Sequence, residues 1–183
     1  MHQVTRTIIE GQRWDLEYFS TDTLTAVQDA EQLDHYTYQV AGCVGEFWTE
    51  VLTLHGYISA GLHEFMLEKG VNYGKGLQLT NIIRDVPEDF ANGRCYLPNA
   101  GETVAEVISA TDPYLLQARQ FLADGRAYAQ ELTNRRLRAA SLLPAMLGEK
   151  TLDLLSEASA EQRLEKVKVS KQTVFVELAK SFL

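Results

Sequence analysis

The stretch from Leu77 to Pro98, "LQLTNIIRDVPEDFANGRCYLP", begins with the apolar pattern of a buried helix and then adds several carboxylates. Asp85 and Asp89 are four residues apart, and Pro87 stands between them. Because proline lacks a backbone N–H and clashes with the carbonyl four residues before it, we expect the helix to bend or end between the two acids. The first question is what these acids do on a segment that otherwise belongs in a core.

Six small or polar residues of this region share one face of a helix. They are Gly70, Gly74, Gln78, Asn81, Asp85 and Asp89. Each helical residue turns by about 100°, so the last four fall within about 80° of one another. A polar face is most often solvated. This one combines amide and carboxylate oxygens, which a hard cation prefers, with glycines that we expect to leave open space. The pattern therefore predicts a Mg²⁺ site that bridges to a substrate phosphate.

Three basic residues lie close to this face in the sequence: Lys75, Arg84 and Arg94. Each could bind the same phosphate. The alternative is a surface ion pair or a solubility role, and for Lys75 we favour that alternative.

Composition limits the classes of protein that the chain can belong to. Its 183 residues are typical of one domain, and a formal net charge of −8 makes a nucleic-acid partner unlikely to be held by a broad basic surface. There is no apolar run of membrane-spanning length, and the start lacks the apolar core of a signal peptide. The two cysteines, Cys43 and Cys95, form no metal-binding pair motif. We expect a cytoplasmic protein, with peripheral membrane association left open.

The chain is predicted to be mostly helical, because prolines are few and alternating β-type patterns are scarce. The expected helices run from Val27 to His55, from about Leu62 to Phe90, from about Thr103 to Ala110, from Thr111 or Asp112 onward, across Pro144, and after a cap at Ser170. In the first of them the apolar residues recur at spacings of three or four. These are Leu33, Tyr36, Val40, Val44, Phe47 and Val51.

The stretch from Leu77 to Pro98 closely resembles the second aspartate-rich segment of the squalene/phytoene synthase family, whose members are head-to-head prenyl transferases. The shared pattern is a Gln, an Asn, an Arg-Asp pair, a second acid four residues on, and a loop ending in Arg-x-Tyr-Leu-Pro. A second match, "YTYQVAGCVGEF" from Tyr36 to Phe47, resembles the family's Tyr-x-x-x-Val-Ala-Gly-x-Val-Gly helix. The resemblance implies an all-α, antiparallel helical array of the isoprenoid synthase type, with residues 1–183 forming the C-terminal portion of such a domain.

The resemblance also implies a reaction and a set of site residues. The reaction is condensation of two prenyl diphosphates, farnesyl diphosphate being favoured over geranylgeranyl diphosphate, to a squalene-like product through a cyclopropyl diphosphate. The cofactor is Mg²⁺, with NADPH added where the product is squalene. The implied catalytic residues are Tyr36, Arg84, Asp85 and Asp89. The implied metal ligands are Asn81, Asp85 and Asp89. The implied substrate-binding residues are Val40, Val44, Gly70, Gly74, Gln78 and Asn81.

One part of the family pattern is not found in the sequence. No first aspartate-rich cluster precedes Tyr36, so we expect the chain alone to be incomplete for catalysis. Asp29 and Glu31 would lie about 200° apart on a helix, so we interpret them and Asp34 as solvated acids at a helix start. The chain could be a fragment, a synthase completed by another chain or subunit, or a non-catalytic prenyl-binding or interaction module. The product, the use of NADPH and homo-oligomerisation stay open.

Overall fold

The computed structural model describes residues 2–20, 23–165 and 167–182. Within these residues the chain forms nine α-helices and one pair of two-residue strands. The helices are α1 (His2–Tyr18), α2 (Ala30–Thr37), α3 (Cys43–Leu54), α4 (His63–Ala91), α5 (Val104–Ser109), α6 (Asp112–Glu131), α7 (Arg135–Glu157), α8 (Ala160–Arg163) and α9 (Lys171–Ser181). The strands are β1 (Thr25–Ala26) and β2 (Arg94–Cys95), which pair in parallel. The predicted all-α class is confirmed.

Helix α4 is the centre of the fold, packing against α3, α6 and α7. Its residues Leu79, Ile82 and Ile83 are buried in the main core, as predicted from the apolar side of the sequence stretch. The predicted bounds of this helix are confirmed to within one residue at each end. Because α4 reaches across the whole molecule, it fixes the direction in which its opposite, polar face points.

Pro87 does not end α4, so of the two expected outcomes, a bend or an end, the structure excludes the end. The helix continues to Ala91, and the N–H of Asn92 caps it on the carbonyls of Glu88 and Asp89. An internal proline costs about 3 kcal/mol in an isolated helix. Here Ile83 lies one turn before Pro87 and Val86 lies directly before it. Both side chains are buried in the core, and their burial offsets the cost of the proline.

The predicted helix from Val27 to His55 is interrupted. It begins at Ala30, after the Asp29 side chain accepts a hydrogen bond from the N–H of Gln32, and a π-helical turn at Tyr38–Gly42 separates α2 from α3. A π turn accommodates an extra residue and rotates the helix face that follows. The predicted apolar stripe is therefore buried in its first part, whereas Val44 is exposed and Leu52 is buried instead.

The strand pair holds the loop after α4 against the N-terminal part of the chain. Thr25 pairs with Arg94, and the Tyr18 hydroxyl of α1 donates to the carbonyl of Ala26. Neither α1 nor this pairing was predicted. The pairing matters because it places the residues that follow β2 beside α1 and below the acidic end of α4.

The remaining helix boundaries largely agree with the sequence. Ser170 caps α9 by accepting from the N–H of Thr173, as predicted, although Leu183 lies outside the described residues. Thr111 precedes α6 but makes no side-chain capping bond, because its hydroxyl donates back to the carbonyl of Ile108. Helix α7 runs straight across Pro144 as one element. Of the helices in the described ranges, none has both the length and the apolarity needed to cross a membrane.

Helix α4 and the segment from the π turn into α3 approach each other backbone to backbone. A Cβ on Gly45 would overlap the carbonyl oxygen of Gly70, and a Cβ on Gly74 would overlap that of Ala41. The space where their side chains would lie is thus filled by the backbone of the neighbouring segment. This corrects the expectation that Gly70 and Gly74 leave open space on their Cβ side, although their backbone does contribute to a pocket wall described below.

The substitution Gly45→Ala tests this contact. We expect the added methyl to force the two helices apart and to lower the free energy of unfolding by about 1–3 kcal/mol. For a chain of this size the melting temperature falls by roughly 2–4 °C per kcal/mol. Thermal unfolding followed by circular dichroism measures the effect. Gly61→Ala is the matched control, because a Cβ there meets nothing within 4 Å. Equal melting temperatures for the two variants would contradict the packing described here.

Candidate active site

Two adjoining pockets lie along the polar face of α4. The first has a volume of about 260 Å³ and is lined largely by polar side chains, and the second has a volume of about 420 Å³ and is largely apolar. Gln78 and Asn81 line both pockets and form the boundary between them. The structure brings every site residue predicted from the sequence to one of these two pockets. The polar pocket has Tyr36, Gln78, Asn81, Arg84, Asp85 and Asp89, and the apolar pocket has Val40, Val44, Gly70, Gly74, Gln78 and Asn81.

The polar pocket presents oxygen atoms from three successive turns of α4. Asn81, Asp85 and Asp89 follow one another at intervals of four residues, and the helix keeps this spacing through Pro87. The Nε of Arg84 donates to Oδ1 of Asp85 over 2.9 Å, and a second guanidinium nitrogen donates to the other carboxylate oxygen. Arg84 therefore already balances one acid of the cluster, and its guanidinium lies at the edge of the pocket.

Asp89 has an unusual environment for a carboxylate. Burial raises the pKa of Asp89 to about 6, and the nearby charge of Asp85 acts in the same direction. Asp15 and Glu88 add to the rise, whereas the positive charge of Arg94 opposes it. The pocket thus concentrates more negative charge around Asp89 than its own cations balance. A carboxylate in such a place is favourable to a bound cation.

Tyr36 forms the aromatic wall of the polar pocket. Its ring stacks on Tyr96 with a centroid distance of 5.2 Å and an interplanar angle of 18°, and Trp14 lies at 5.2 Å on a tilted plane. Burial and the charge of Asp15 raise the pKa of the Tyr36 hydroxyl above its ordinary value. The phenol is therefore neutral at physiological pH. Tyr36 thus lines the pocket as a neutral aromatic residue that is packed between Tyr96 and Trp14.

Asp15 is a site residue that the sequence analysis missed. It lies on α1, is 9% exposed, and accepts hydrogen bonds from the Tyr96 hydroxyl and, over 3.0 Å, from Nη1 of Arg94. Both donors come from the segment that the strand pairing holds against α1. In the sequence Asp15 stands directly after Trp14 and three residues before Tyr18, and no motif marks it. Its partners lie about 80 residues away, so the sequence could not reveal them.

The apolar pocket is lined by α3, α4 and α7. Val40 and Val44 lie on one side, and Leu77 and Tyr73 on another, with Pro144 of α7 closing the wall. The Tyr73 hydroxyl donates to the carbonyl of Ser141 over 2.7 Å, so it is satisfied within the wall. The side chains that contact the cavity interior are therefore mostly hydrocarbon, as in sites that bind apolar ligands.

Two of the three cations near the acidic face are engaged elsewhere. Nζ of Lys75 lies 2.8 Å from both carboxylate oxygens of Asp34 on α2, which is the ion pair favoured for Lys75. Asp34 is exposed, as expected of a solvated acid, and it also forms this ion pair. Asp29 lies at the start of α2, where its side chain accepts a hydrogen bond from the N–H of Gln32. Arg94 pairs with Asp15 and contacts the Phe19 ring as a cation at 6.0 Å.

The donor set fits a hard divalent cation that is completed by a ligand. In the described residues, no three His, Cys, Asp or Glu side chains converge as a metal cluster on their own. Asn81, Asp85 and Asp89 together supply an amide oxygen and two carboxylates. Mg²⁺ needs six oxygen ligands, keeps several waters, and is commonly completed by substrate phosphate. An open, oxygen-lined pocket is compatible with that mode of binding and differs from a closed structural site.

With this geometry in place, the chain can be compared with known proteins. The squalene/phytoene synthase family model matches residues 1–173. The chain belongs to the squalene/phytoene synthase family. The predicted family, which is a family of prenyltransferases, is confirmed.

Individual relatives carry names from several branches of this family. The chain is 39% identical over 82 residues to the squalene synthase of Eremothecium gossypii, covering 45% of this chain and 18% of that protein. It is 42% identical over 101 residues to the 15-cis-phytoene synthase of Synechocystis, covering 52% and 28%. A dehydrosqualene synthase solved in complex with a ligand is 22% identical with a TM-score of 0.74, covering 99% of this chain and 64% of that one.

The matches establish the fold and the family of the chain. The chain spans less than a third of the length of these two curated relatives and about two thirds of the solved chain. The structural match at this identity shows the shared isoprenoid synthase fold.

Asp15→Asn tests the role of the missed acid in building the pocket. Asparagine keeps the shape but removes the charge that holds Arg94 and Tyr96, so we expect a loss of about 1–3 kcal/mol in the free energy of unfolding. Urea denaturation measures it. Glu17→Gln on the same helix is the control, because its pair with Arg13 spans 3.8 Å and both side chains are largely exposed. If Asp15→Asn is as stable as the wild type, Asp15 does not organise this wall.

Proposed function

We propose that the two pockets form the diphosphate and prenyl halves of one active site, and that this protein acts in the head-to-head condensation of two prenyl diphosphates. The observation that carries the proposal is their shared boundary. Gln78 and Asn81 separate a carboxylate-lined cavity from an apolar one, so a ligand with a charged head and a hydrocarbon tail can occupy both. A prenyl diphosphate has that form.

The polar pocket would manage the charge of the leaving group. Ionisation breaks the C–O bond of an allylic diphosphate, and the diphosphate departs with the electron pair. Asn81, Asp85 and Asp89 would hold Mg²⁺, which neutralises charge on the diphosphate when it is bound. The Arg84 guanidinium, at the rim of the same pocket, can donate to phosphate oxygens in addition to Asp85.

The apolar pocket and the aromatic wall would protect the carbocation that remains. Val40, Val44 and Leu77 exclude water from the chain, so that the cation reacts with the second prenyl group before it is hydrolysed. Tyr36 and its stacked partner Tyr96 line the polar pocket, and aromatic rings near the reacting carbon would stabilise a positive charge there. Farnesyl diphosphate is the favoured substrate. The use of NADPH depends on the product and is not part of the proposal.

A second candidate is prenyl diphosphate binding without complete turnover by this chain alone. It is favoured by the donor set, because two diphosphates require more metal ligands than Asn81, Asp85 and Asp89 provide, and Asp85 is already paired with Arg84. In that case another chain or subunit supplies the remaining ligands. The two candidates share the binding step and differ in the products formed.

A thermal shift experiment tests the binding step. With Mg²⁺ and a non-hydrolysable thio analogue of farnesyl diphosphate at about 100 times its dissociation constant, we expect about 2.7 kcal/mol of stabilisation. This corresponds to a rise in melting temperature of roughly 5–10 °C. Asp85→Asn should remove most of the shift, and omission of Mg²⁺ should do the same. Glu64→Gln, an exposed acid in the first turn of α4, should leave it unchanged.

Product analysis then separates the two candidates. Farnesyl or geranylgeranyl diphosphate is incubated with Mg²⁺, with and without NADPH, and the extract is analysed by mass spectrometry. A thirty- or forty-carbon product that disappears in Asp85→Asn supports catalysis, whereas binding without product supports the second candidate. No thermal shift with the thio analogue, or an equal shift in Asp85→Asn, contradicts both candidates.

A further inference from the structure

The apolar pocket is an elongated cavity that follows the axis of α4. Among the described residues, those of α4 that line it run from Asn81, at the boundary with the polar pocket, back to Gly70. The lining residues of the opposite wall run from Val40 in the π turn to Trp48 in α3. One end of the cavity thus opens on the polar pocket, and its far end lies at Gly70 on one wall and at Trp48 on the other.

The contacts between the two walls place Trp48 at this far end. A Cβ on Gly74 would overlap the carbonyl of Ala41, and a Cβ on Gly45 would overlap that of Gly70. The segment of the π turn and α3 therefore runs antiparallel to α4, and each step along it leads away from the polar pocket. Trp48 is three residues past Gly45, so its Cα lies about 5 Å farther from the polar pocket than this contact.

Helix geometry directs the Trp48 side chain back over this end of the cavity. Side chains of an α-helix lean toward its N-terminus, so the surface that a residue covers lies over the preceding turn. The turn before Trp48 contains Val44 and Gly45, which also line the cavity. Trp48 is 38% exposed, so one side of it faces solvent while the other lines the pocket. Its bulk therefore separates the end of the cavity from the solvent.

The aromatic residue on the α4 side of the cavity, Tyr73, is held in place. Its hydroxyl donates to the carbonyl of Ser141 over 2.7 Å. Its ring packs against Gly125 of α6, where an added Cβ would overlap it. Trp48, by contrast, can be changed in size without breaking either of these contacts. The two aromatic walls thus differ, since one is fixed by α6 and α7 and the other depends on a single side chain.

The length of the cavity matches a chain of three isoprene units. The boundary residues Gln78 and Asn81 lie eight and eleven residues from Gly70, which corresponds to about 12 to 17 Å along the helix. An extended isoprene unit adds four carbon–carbon bonds, or about 5 Å. Three units then span about 15 Å and fit within the cavity, whereas four units span about 20 Å and reach Trp48.

We propose that Trp48 determines the length of the prenyl chain that this protein accepts, because its indole closes the far end of the apolar pocket to a fourth isoprene unit. The inference rests on the proposed function, in which the diphosphate lies in the polar pocket and the hydrocarbon chain in the apolar one. A large side chain at this place rejects a longer chain by overlap, whereas a small one leaves room for it. Trp48 thus selects fifteen-carbon chains over twenty-carbon chains.

Thermal shifts with thio analogues of three chain lengths test the proposal at the level of binding. Dissociation constants of the ten-, fifteen- and twenty-carbon diphosphate analogues are obtained with Mg²⁺ from the dependence of the shift on ligand concentration. We expect the wild type to bind the fifteen-carbon analogue about tenfold more tightly than the twenty-carbon one. Trp48→Ala should abolish or reverse this preference. Trp48→Leu, which keeps an apolar side chain, should reduce it, and it serves as the test if Trp48→Ala does not fold.

A bulky residue one turn closer to the polar pocket should have the opposite effect. Val44 lines the same wall as Trp48, so Val44→Phe is expected to shorten the cavity and to shift the preference toward the ten-carbon analogue. Phe65→Ala is the matched control, because Phe65 is 41% exposed and packs under Lys69 on α4, outside the apolar pocket. This variant should keep the preference of the wild type.

The outcomes separate the role of Trp48 from the proposed function. An unchanged preference in both Trp48 variants overturns the proposal, as does a wild type that binds the twenty-carbon analogue as tightly as the fifteen-carbon one. Either result leaves the proposed function intact, since the analogues still bind. The absence of a shift with every analogue would instead contradict the proposed function, and the inference with it. An equal change of preference in Phe65→Ala would also count against Trp48, because the effect would then not depend on the pocket.

Discussion

The close approach of α4 to the segment that joins the π turn to α3 is the constraint on which the other features depend. At Gly45, Gly70 and Gly74 the two backbones are in contact, and a methyl group added at any of these positions would overlap the segment packed against it. This contact sets the distance between Val40 and Val44 on one side and Gln78 and Asn81 on the other. Their separation is the width of the apolar pocket, so the same glycines that close the helix packing also determine what the pocket can hold.

Electrostatics divides the acids of the region into two groups. Asp15, with Arg94 and Tyr96, forms a buried network in which each polar group has a partner, and it stabilises the wall below α4. Asp89 is different, since burial and neighbouring acids raise its pKa and Arg94 is shared with Asp15. Asp15 therefore serves the structure of this wall, whereas the surroundings of Asp89, which are short of positive charge, are suited to bind a cation.

The sequence predicted the part of the site that lies on continuous helices. Spacings of three and four residues along α4 predicted that Gln78, Asn81, Asp85 and Asp89 share one face of the helix. The structure has them at one pocket, because helical periodicity is a local property of the chain. Val40 and Val44 were likewise found at the apolar pocket. Their roles in metal and substrate binding remain predictions.

What the sequence could not provide comes from long-range contacts and from local departures from ideal helices. The π turn after Tyr36 rotates the face of α3, and nothing in the residue spacing marks it. Asp15 reaches the site only through the pairing of two-residue strands, which are too short to leave a pattern. The end of α9 is held by a long-range contact, in which Arg135 donates to the carbonyl of Phe182, and the sequence pattern does not reveal it.

At Pro87 the preference of proline for a helix end is overridden by tertiary packing. Ending α4 at Val86 would satisfy the preference of proline, but it would release Asp89 from the helical register that places it one turn beyond Asp85. Because Ile83 and Val86 are buried in the core, the helix continues and the two carboxylates stay on the same face. The missing N–H of Pro87 leaves the carbonyl of Ile83 without its usual helical partner, yet the spacing of the acids is kept. The acidic face is thus held by the core behind it, and its spacing comes from tertiary packing that overrides the local sequence preference.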